Sequence, residues 1–361
     1  MKFIHTADLH LGSSFESASF DKDIAKIRRE ELFTSFEDMI QNCKKLEIDL
    51  LLIAGDLFEE PLIKASDVKR VIDAFEKIKG IKVVICAGNH DYINDKSYYN
   101  LIDFPDNVTI FNKEGLNSIY FDDINTWVYG FSFFKNNYDA DFTVLPKLDK
   151  SKNNILLLHC DVLTAKSKYL PIKKEKLVNS DFDYIALGHI HKSLRVSEKI
   201  FYSGSLEPLD FSERGVHGYV YGTIGRVKDE NVLIKGAKRE FKLVKVDITG
   251  LSSLEQICDL IESQFADGKM VNLFRVVLEG VKHNLININD IENKLIDKFF
   301  YIEFKDNTVK DYDLEALRRD NENNVIGLYI ENFLGSKDKI DRKALYYGLD
   351  ALLGDERGNG R

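Results

Sequence analysis

Aspartate, asparagine and histidine recur in this sequence where short apolar runs end. Asp8 and His10 follow the run from Phe3 to Ala7, Asp56 follows Leu50 to Ala54, and Asn89 and His90 follow Lys82 to Ala87. His159 follows Ile155 to Leu158, and His189 and His191 follow Tyr184 to Leu187. Singly these are weak signals: Asp-x-His is frequent by chance, Gly55-Asp56 is a common loop dipeptide, and a histidine beside a strand more often makes a structural hydrogen bond than ligates a metal. In order, however, Asp8-x-His10, Gly55-Asp56, Gly88-Asn89-His90-Asp91, His159 and Gly188-His189-x-His191 use five of the eight histidines, each at a strand end. Imidazole mixed with carboxylate and amide suits Mn, Fe or Zn rather than the all-oxygen sites that select Ca or Mg. The chemistry implied is that of a divalent metal centre.

To meet, the motifs need neighbouring strands. The first half alternates the apolar runs with amphipathic segments, Phe36, Met39, Ile40 and Cys43 in one and Val68, Val71, Ile72, Phe75 and Ile78 in another. That alternation predicts an α/β fold with a parallel sheet and crossover helices. Ligands of such a sheet bind beyond the carboxyl ends of its strands, so the motifs are expected to converge on one edge. From about Phe201 to Asp247 the helical period disappears, and Gly218 to Ile224 and Phe241 to Val246 read as strands of a second sheet, giving a sandwich covered by helices. Beyond Thr249, helix, strand, helix, strand over Ser252–Phe265, Met270–Glu279, Asp290–Lys298 and Phe299–Lys305 predicts a separate small α/β domain. Asn324 to Leu353 reads as helical, with Ile326, Tyr329, Ile330 and Phe333 and then Leu345, Tyr346, Leu349 and Leu352 for packing against that domain or for docking a partner. The expected divisions are 1–248, 249–335 and a C-terminal helix and tail at 336–361, with disorder only in the last few residues.

Composition sets outer bounds. The 361 residues suit one large domain and a smaller one, and 44% hydrophobic with 30% charged residues is the balance of a chain that buries a sizeable core. Cys43, Cys86, Cys160 and Cys258 are scattered, form no CxxC pair, and fit a reducing cytoplasm, Cys43 and Cys86 as small core residues. No apolar run approaches the ~20 residues of a membrane span, and Met1-Lys2-Phe3-Ile4-His5 enters a strand without a signal-peptide core. A net charge of -9 argues against a generally basic nucleic-acid binder, though a local basic surface or bound cations would still attract phosphate.

The order and wording of the five motifs resemble the calcineurin-like metallophosphoesterases over at least residues 1–215. The resemblance implies a four-layer β-sandwich flanked by helices and a dinuclear centre. One ion would be held by Asp8, His10, Asp56 and His191, and the other by Asp56, Asn89, His159 and His189, with Asp56 bridging. Two cations ~3.5–4 Å apart would clamp a phosphodiester and activate water, so no protein nucleophile is required. His90 is left to stabilise developing charge or to protonate the leaving oxygen, with Asp91 orienting it, while Asp161 is expected to be structural.

Wording between the motifs narrows the resemblance. Phe3-Ile4-His5-Thr6-Ala7-Asp8-Leu9-His10-Leu11-Gly12, Gly55-Asp56-Leu57-Phe58, and Tyr202-Ser203-Gly204-Ser205 followed by Asp210-Phe211-Ser212-Glu213 look like the SbcD-type DNA repair nucleases, and the small α/β domain resembles their capping domain. That implies Mn-dependent cleavage of DNA ends (Fe or Zn being the other candidate metals), a coiled-coil ATPase partner of SbcC type, and a homodimer. Cys160 stands where glycine commonly follows the ligand histidine, and Ser13-Ser14 replace a more usual arginine-containing stretch. A protein phosphatase is disfavoured by the lack of a phosphate-clamping arginine after Gly55-Asp56-Leu57-Phe58 and by Asp91 in place of glutamate. A phosphodiesterase for small nucleotides and a non-catalytic metal-bound scaffold are the alternatives. After His159 the chain carries Lys166, Lys168, Lys173, Lys174 and Lys176 with Tyr169 among them, either a solvated loop or a patch for phosphates beside the scissile bond.

Overall fold

The computed structural model describes residues 1–15, 20–139, 144–225, 230–265, 268–283, 285–336 and 338–353. It divides into two compact units, Met1–Glu240 and Phe241–Arg361. In the first, β1 (Lys2–Thr6), β2 (Leu50–Ala54), β3 (Lys82–Cys86) and β4 (Val108–Ile110) run parallel in one six-stranded sheet. A second six-stranded sheet holds β5 (Asn117–Phe121), β6 (Thr126–Phe131), β7 (Asn153–His159), β8 (Tyr184–Gly188), β9 (Leu194–Arg195) and β10 (Ile200–Tyr202), in the order β5-β6-β7-β8-β10-β9. The first sheet is completed at its other edge by β11 (Gly218–Thr223), antiparallel to β1, and β12 (Asn231–Lys235).

Two expectations are corrected here. The second sheet begins at Asn117, not near Phe201, so the parallel strands carrying the motifs are shared between two sheets. Gly218–Thr223, expected in the second sheet, joins the first. Periodicity marks a strand as buried and says nothing of its partner, which is set by long-range register.

The inner faces meet in one apolar layer, Phe3, Leu50, Leu52, Val84 and Cys86 against Val128, Ile155, Leu157, Tyr184 and Ala186. Every residue of β2 is buried, which is why Leu-Leu-Leu-Ile-Ala is apolar without alternation. The outer face of the first sheet is covered by α1 (Lys22–Lys45) and α2 (Ala65–Glu76) through Phe36, Met39, Ile40, Cys43, Val68, Val71 and Phe75. Asp21 caps α1 by accepting from the N–H groups of Asp23 and Ile24. A short α3 (Tyr98–Leu101) follows β3. The second sheet's outer face is covered by Leu170, Ile172, Leu177 and Phe182 from the segment that includes α4 (Lys174–Val178). Cys43, Cys86, Cys160 and Cys258 are all buried free thiols.

The second unit is built on three parallel strands, β13 (Phe241–Asp247), β14 (Leu273–Lys282) and β15 (Tyr301–Lys310). Helices α5 (Leu254–Ser263) and α6 (Ile288–Leu295) bury Ile257, Ile261, Ile291 and Leu295 against Val246, Phe274, Val276 and Leu278. Because β13 pairs with β14, the division lies between 240 and 241 rather than between 248 and 249. Helices α7 (Leu314–Asp320), α8 (Val325–Phe333) and α9 (Lys339–Leu352) belong to the same unit, where Ile330, Leu345 and Leu349 form a small cluster with Ile326, Tyr329 and Phe333. Residues 336 and 338–353 therefore do not stand apart, and 337 and the tail at 354–361 lie outside the described residues. Among the described residues no helix is long and apolar enough to cross a membrane.

Candidate metal centre

The carboxyl ends of β1, β2, β3, β7 and β8 converge at the seam between the two sheets, and the five motifs lie there. The loops after β1 and β2 are bound to each other: Asp8 N–H donates to Gly55 O at 3.1 Å, His10 N–H to Asp56 O at 3.0 Å and Leu11 N–H to Leu57 O at 3.0 Å. Asp8, His10, Asp56 and His189 all take positive φ, at 51°, 44°, 50° and 100°. Backbone of this kind is costly for non-glycine residues, and its concentration at one place marks a site that the surrounding structure holds in shape.

Glycine before the ligand candidates has a steric reason. A Cβ on Gly188 would stand 1.9 Å from Ala54 O, and one on Gly88 would stand 2.2 Å from Asp56 Oδ1. The sheets approach too closely there for any side chain, whereas a Cβ on Gly80 meets nothing. Gly188→Ala is expected to cost about 1–3 kcal/mol of stability, and Gly80→Ala to leave stability unchanged or raised. Comparison of their denaturant midpoints checks this.

The side chains point nitrogen and oxygen atoms at one another in the pairs expected around cations. His10 Nδ1 lies 2.8 Å from Glu59 Oε2 and His191 Nδ1 lies 2.7 Å from Glu213 Oε1. A carboxylate only accepts, so each ring carries a proton on Nδ1, which makes Nε2 the nitrogen available to a metal ion. These two Nε2 atoms face each other at 3.1 Å. His159 repeats the arrangement, donating from Nδ1 to Ala54 O at 3.0 Å, while its Nε2 meets only acceptors, Asn89 Oδ1 at 2.9 Å and Asp56 Oδ2 at 3.3 Å. A metal ion between them would turn each contact into ligation.

Ligand atoms of Asp8, His10 and His191 lie within 4.8 Å of one another, and so do those of Asp8, Asp56 and His159 and those of His10, Asp56 and His90. Asp8 is common to the first two groupings and Asp56 to the last two, and Asp56 Oδ2 also lies 3.8 Å from His10 Nε2. His189 joins through its N–H, which donates to Asp8 Oδ1 at 3.0 Å and Oδ2 at 3.1 Å, and its ring lies 5.4 Å from that of His159. Asp8, His10, Asp56 and His159 are at most 1% exposed and Asn89 is 8% exposed. The donor set, imidazole and carboxylate with one amide, fits divalent Mn, Fe or Zn.

The electrostatics favours positive charge. Burial pushes the Asp8 carboxyl up. Burial also opposes ionisation of Asp56, yet the imidazoles of His159, His10 and His90 hold its carboxyl below the usual range. Burial opposes charge on His191 as well, but Glu213, Asp8 and Asp56 outweigh it and take the imidazole to about 9. Burial and His159 lower His189 to about 4, leaving it neutral and able to ligate.

His90 is partly exposed, with its Nδ1 2.9 Å from Glu59 Oε1, and that bond raises the imidazole to about 9. The expectation that Asp91 orients His90 is corrected. Asp91 is fully buried and accepts from the backbone N–H groups of Gly88, Leu57, Phe58 and Asp56 at 2.7, 2.8, 3.2 and 3.2 Å and from Tyr99 OH at 2.6 Å. It shapes the loops that carry Asp56 and Asn89. Asp161 Oδ1 accepts from Leu163 and Thr164 N–H at 2.8 and 2.9 Å, a structural turn as expected.

Glu59 and Glu213 are partners of the site that the motifs do not reveal. Glu59 is the next carboxylate on the loop that carries Asp56, a signal that could have found it; Glu213 is 22 residues from His191, beyond any spacing rule, and its one signal is its place in the SbcD-like stretch Asp210-Phe211-Ser212-Glu213. The lysine segment does approach the centre: the Tyr169 ring lies 4.6 Å from the His189 ring, and Asp161 and Tyr138 pin its backbone. Lys166, Lys168, Lys173 and Lys174 are exposed, and Lys176 is partly buried.

Residues 1–193 match the family model described as "Calcineurin-like phosphoesterase". The chain is also 28% identical over 317 residues to the "Uncharacterized metallophosphoesterase YhaO" of Bacillus subtilis (strain 168), an alignment covering 78% of this chain and 72% of the relative.

Proposed function

The chain belongs to the calcineurin-like phosphoesterase family, whose members are metal-dependent phosphoester hydrolases, and from that premise we propose that it is a two-metal phosphodiesterase acting on DNA, a repair nuclease of SbcD type that uses Mn. The observation that carries the metal reading is the set of imidazole Nε2 atoms aimed at one another, at the Asp56 carboxylate and at the Asn89 amide oxygen. Asp8, His10 and His191 would hold one ion, Asn89, His159 and His189 the other, with Asp56 between them. The pair would supply positive charge against the phosphoryl oxygens and a strongly nucleophilic water at neutral pH.

The chain's own residues do the rest. Water adds its oxygen to phosphorus, the bond from phosphorus to the leaving oxygen breaks, and that oxygen needs a proton. His90, partly exposed beside the centre and held by Glu59, is the group that donates it. Asp91 holds the loops on which Asp56 and Asn89 sit, and Tyr169 packs on His189.

For the substrate, the support is the exposed lysines of a segment anchored beside His189, together with the SbcD-like wording around the ligands. A polymeric phosphate could lie across both. Replacing Lys166, Lys168, Lys173 and Lys174 by alanine is expected to weaken duplex DNA binding at least tenfold at moderate salt and to flatten its salt dependence by up to about 0.9 for each phosphate no longer neutralised. Titration at several salt concentrations measures both; unchanged affinity and slope would remove the segment from the DNA surface.

The experiment for the function is Mn-dependent degradation of end-labelled linear duplex DNA beside a nucleotide monoester and a cyclic nucleotide. Stepwise loss of label, prevented by chelator and by His90→Asn, is the expected result. Hydrolysis of the small substrates alone would keep the metal chemistry and overturn the DNA assignment. An SbcC-type ATPase partner, a homodimer and a cytoplasmic location belong to the same proposal; co-purification and sedimentation test the first two.

A further inference from the structure

One side chain touches both halves of the proposed chemistry. Glu59 Oε2 lies 2.8 Å from His10 Nδ1, and Glu59 Oε1 lies 2.9 Å from His90 Nδ1. The two rings meet edge to face, 4.7 Å apart at 88°. The glutamate is anchored on both sides of its Cα: its N–H donates to Leu11 O at 3.0 Å, and its carbonyl accepts from the N–H groups of Leu62 and Ile63 at 2.9 and 3.0 Å. Its side chain is only 17% exposed.

We propose that Glu59 is a positioning residue shared by the metal ligand His10 and the proton donor His90, so that a single carboxylate sets both the ligating tautomer of one ring and the orientation of the other. The inference rests on the two-metal reading above. A carboxylate accepts through both oxygens, so both rings must present Nδ1–H to it. That leaves Nε2 of His10, which faces His191, as the nitrogen available to a metal ion. Glutamine is almost isosteric but offers one acceptor and one donor. Whichever ring meets its NH₂ must turn away or move its proton to Nε2: on His10 the change removes a metal ligand, and on His90 it removes the set orientation. Glu213 is the natural control, because of the site's imidazoles it bonds His191 alone, its other oxygen being held by Ser205 Oγ and Leu209 N–H.

The test uses the full chain stripped with chelator. Free Mn(II) is followed by electron paramagnetic resonance during titration, kcat is measured on a dinucleotide at saturating Mn, and histidine tautomers are read from ¹⁵N chemical shifts. Glu59→Gln is expected to disturb the ring that meets its NH₂: with His10 there, one of the two Mn sites weakens by about tenfold to a hundredfold, and with His90 there, a tenfold or larger deficit in kcat persists after Mn saturates, the disturbed imidazole losing its Nδ1–H signature in either case. Glu213→Gln is expected to weaken Mn binding while kcat recovers at saturation. Glu59→Asp, which retains two accepting oxygens, is expected to restore the Nδ1–H tautomers and most of the Mn affinity. The inference is overturned if Glu59→Gln both binds Mn as the unaltered chain does and recovers full kcat, or if Glu59→Asp is as impaired as Glu59→Gln. An unaltered chain that takes up no Mn would overturn the two-metal reading itself, and the inference with it.

Discussion

Asp56→Asn is expected to reduce phosphodiester hydrolysis by about 10³-fold or more, the rate equivalent of about 4 kcal/mol, and to remove the rise in melting temperature that divalent metal gives the unaltered chain. Asp56 Oδ2 stands 3.3 Å from His159 Nε2 and 3.8 Å from His10 Nε2, and Oδ1 accepts the His90 N–H at 2.8 Å. It reaches the imidazoles of both proposed ion sites, so neutralising it weakens both. Asp8 and Asp56 are two buried carboxylates whose charges oppose each other. In chelator, neutralising Asp8, whose carboxyl is pushed up by burial, is expected to leave the fold as stable or more stable, whereas neutralising Asp56, whose carboxyl the imidazoles hold below the usual range, is expected to cost stability near neutral pH. Thermal melts with chelator and with Mn, beside initial rates, measure both; an Asp56→Asn chain that still hydrolyses at full rate would remove Asp56 from the centre.

The largest expected loss of stability is at Asp91. Its carboxylate receives four backbone N–H groups, from Gly88, Leu57, Phe58 and Asp56, and the Tyr99 hydroxyl, all out of contact with solvent. Asp91→Ala leaves those donors without an acceptor, at about 1–3 kcal/mol for each that finds no other partner, so a total of roughly 3–5 kcal/mol follows even after water enters. Asp91→Asn is also expected to destabilise, since its NH₂ must face N–H groups. Metal uptake should fall in proportion, because the loops held by Asp91 carry Asp56 and Asn89. Denaturant unfolding of both variants beside His90→Asn makes the comparison. His90 is exposed and caps nothing, so His90→Asn should unfold like the unaltered chain while losing activity. That loss should be larger for DNA, whose alkoxide leaving oxygen needs a proton, than for a nitrophenyl ester, whose leaving group does not.

What can be read from the sequence follows the range of the forces involved. Ligand types and their places at strand ends are legible, because each motif is local: a strand such as Leu50–Ala54 announces itself by apolarity, and the residues after it turn outward. The helix faces carrying Phe36, Met39 and Cys43 or Val68, Val71 and Phe75 are legible for the same reason. Sheet membership is not. Gly218–Thr223 pairs with β1 and Phe241–Asp247 with β14, and neither pairing leaves a trace in the period of the strand itself. Glu59 is legible only as the next carboxylate after Asp56, and the roles of Asp91 and Glu213 are out of reach, since each depends on which atoms a folded loop brings within about 3 Å, the range of a hydrogen bond, a matter of register and not of residue type.

That this cluster holds two divalent ions, and that hydrolysis depends on them, is tested most directly by elemental analysis of the chelator-stripped chain after reconstitution with Mn, read beside hydrolysis of a generic phosphodiester in the same samples. The expected result is two ions per chain in the unaltered protein, activity that rises with occupancy, and neither in Asp56→Asn. A folded chain that takes up no metal, or that hydrolyses the ester at full rate in chelator, would contradict the two-metal assignment.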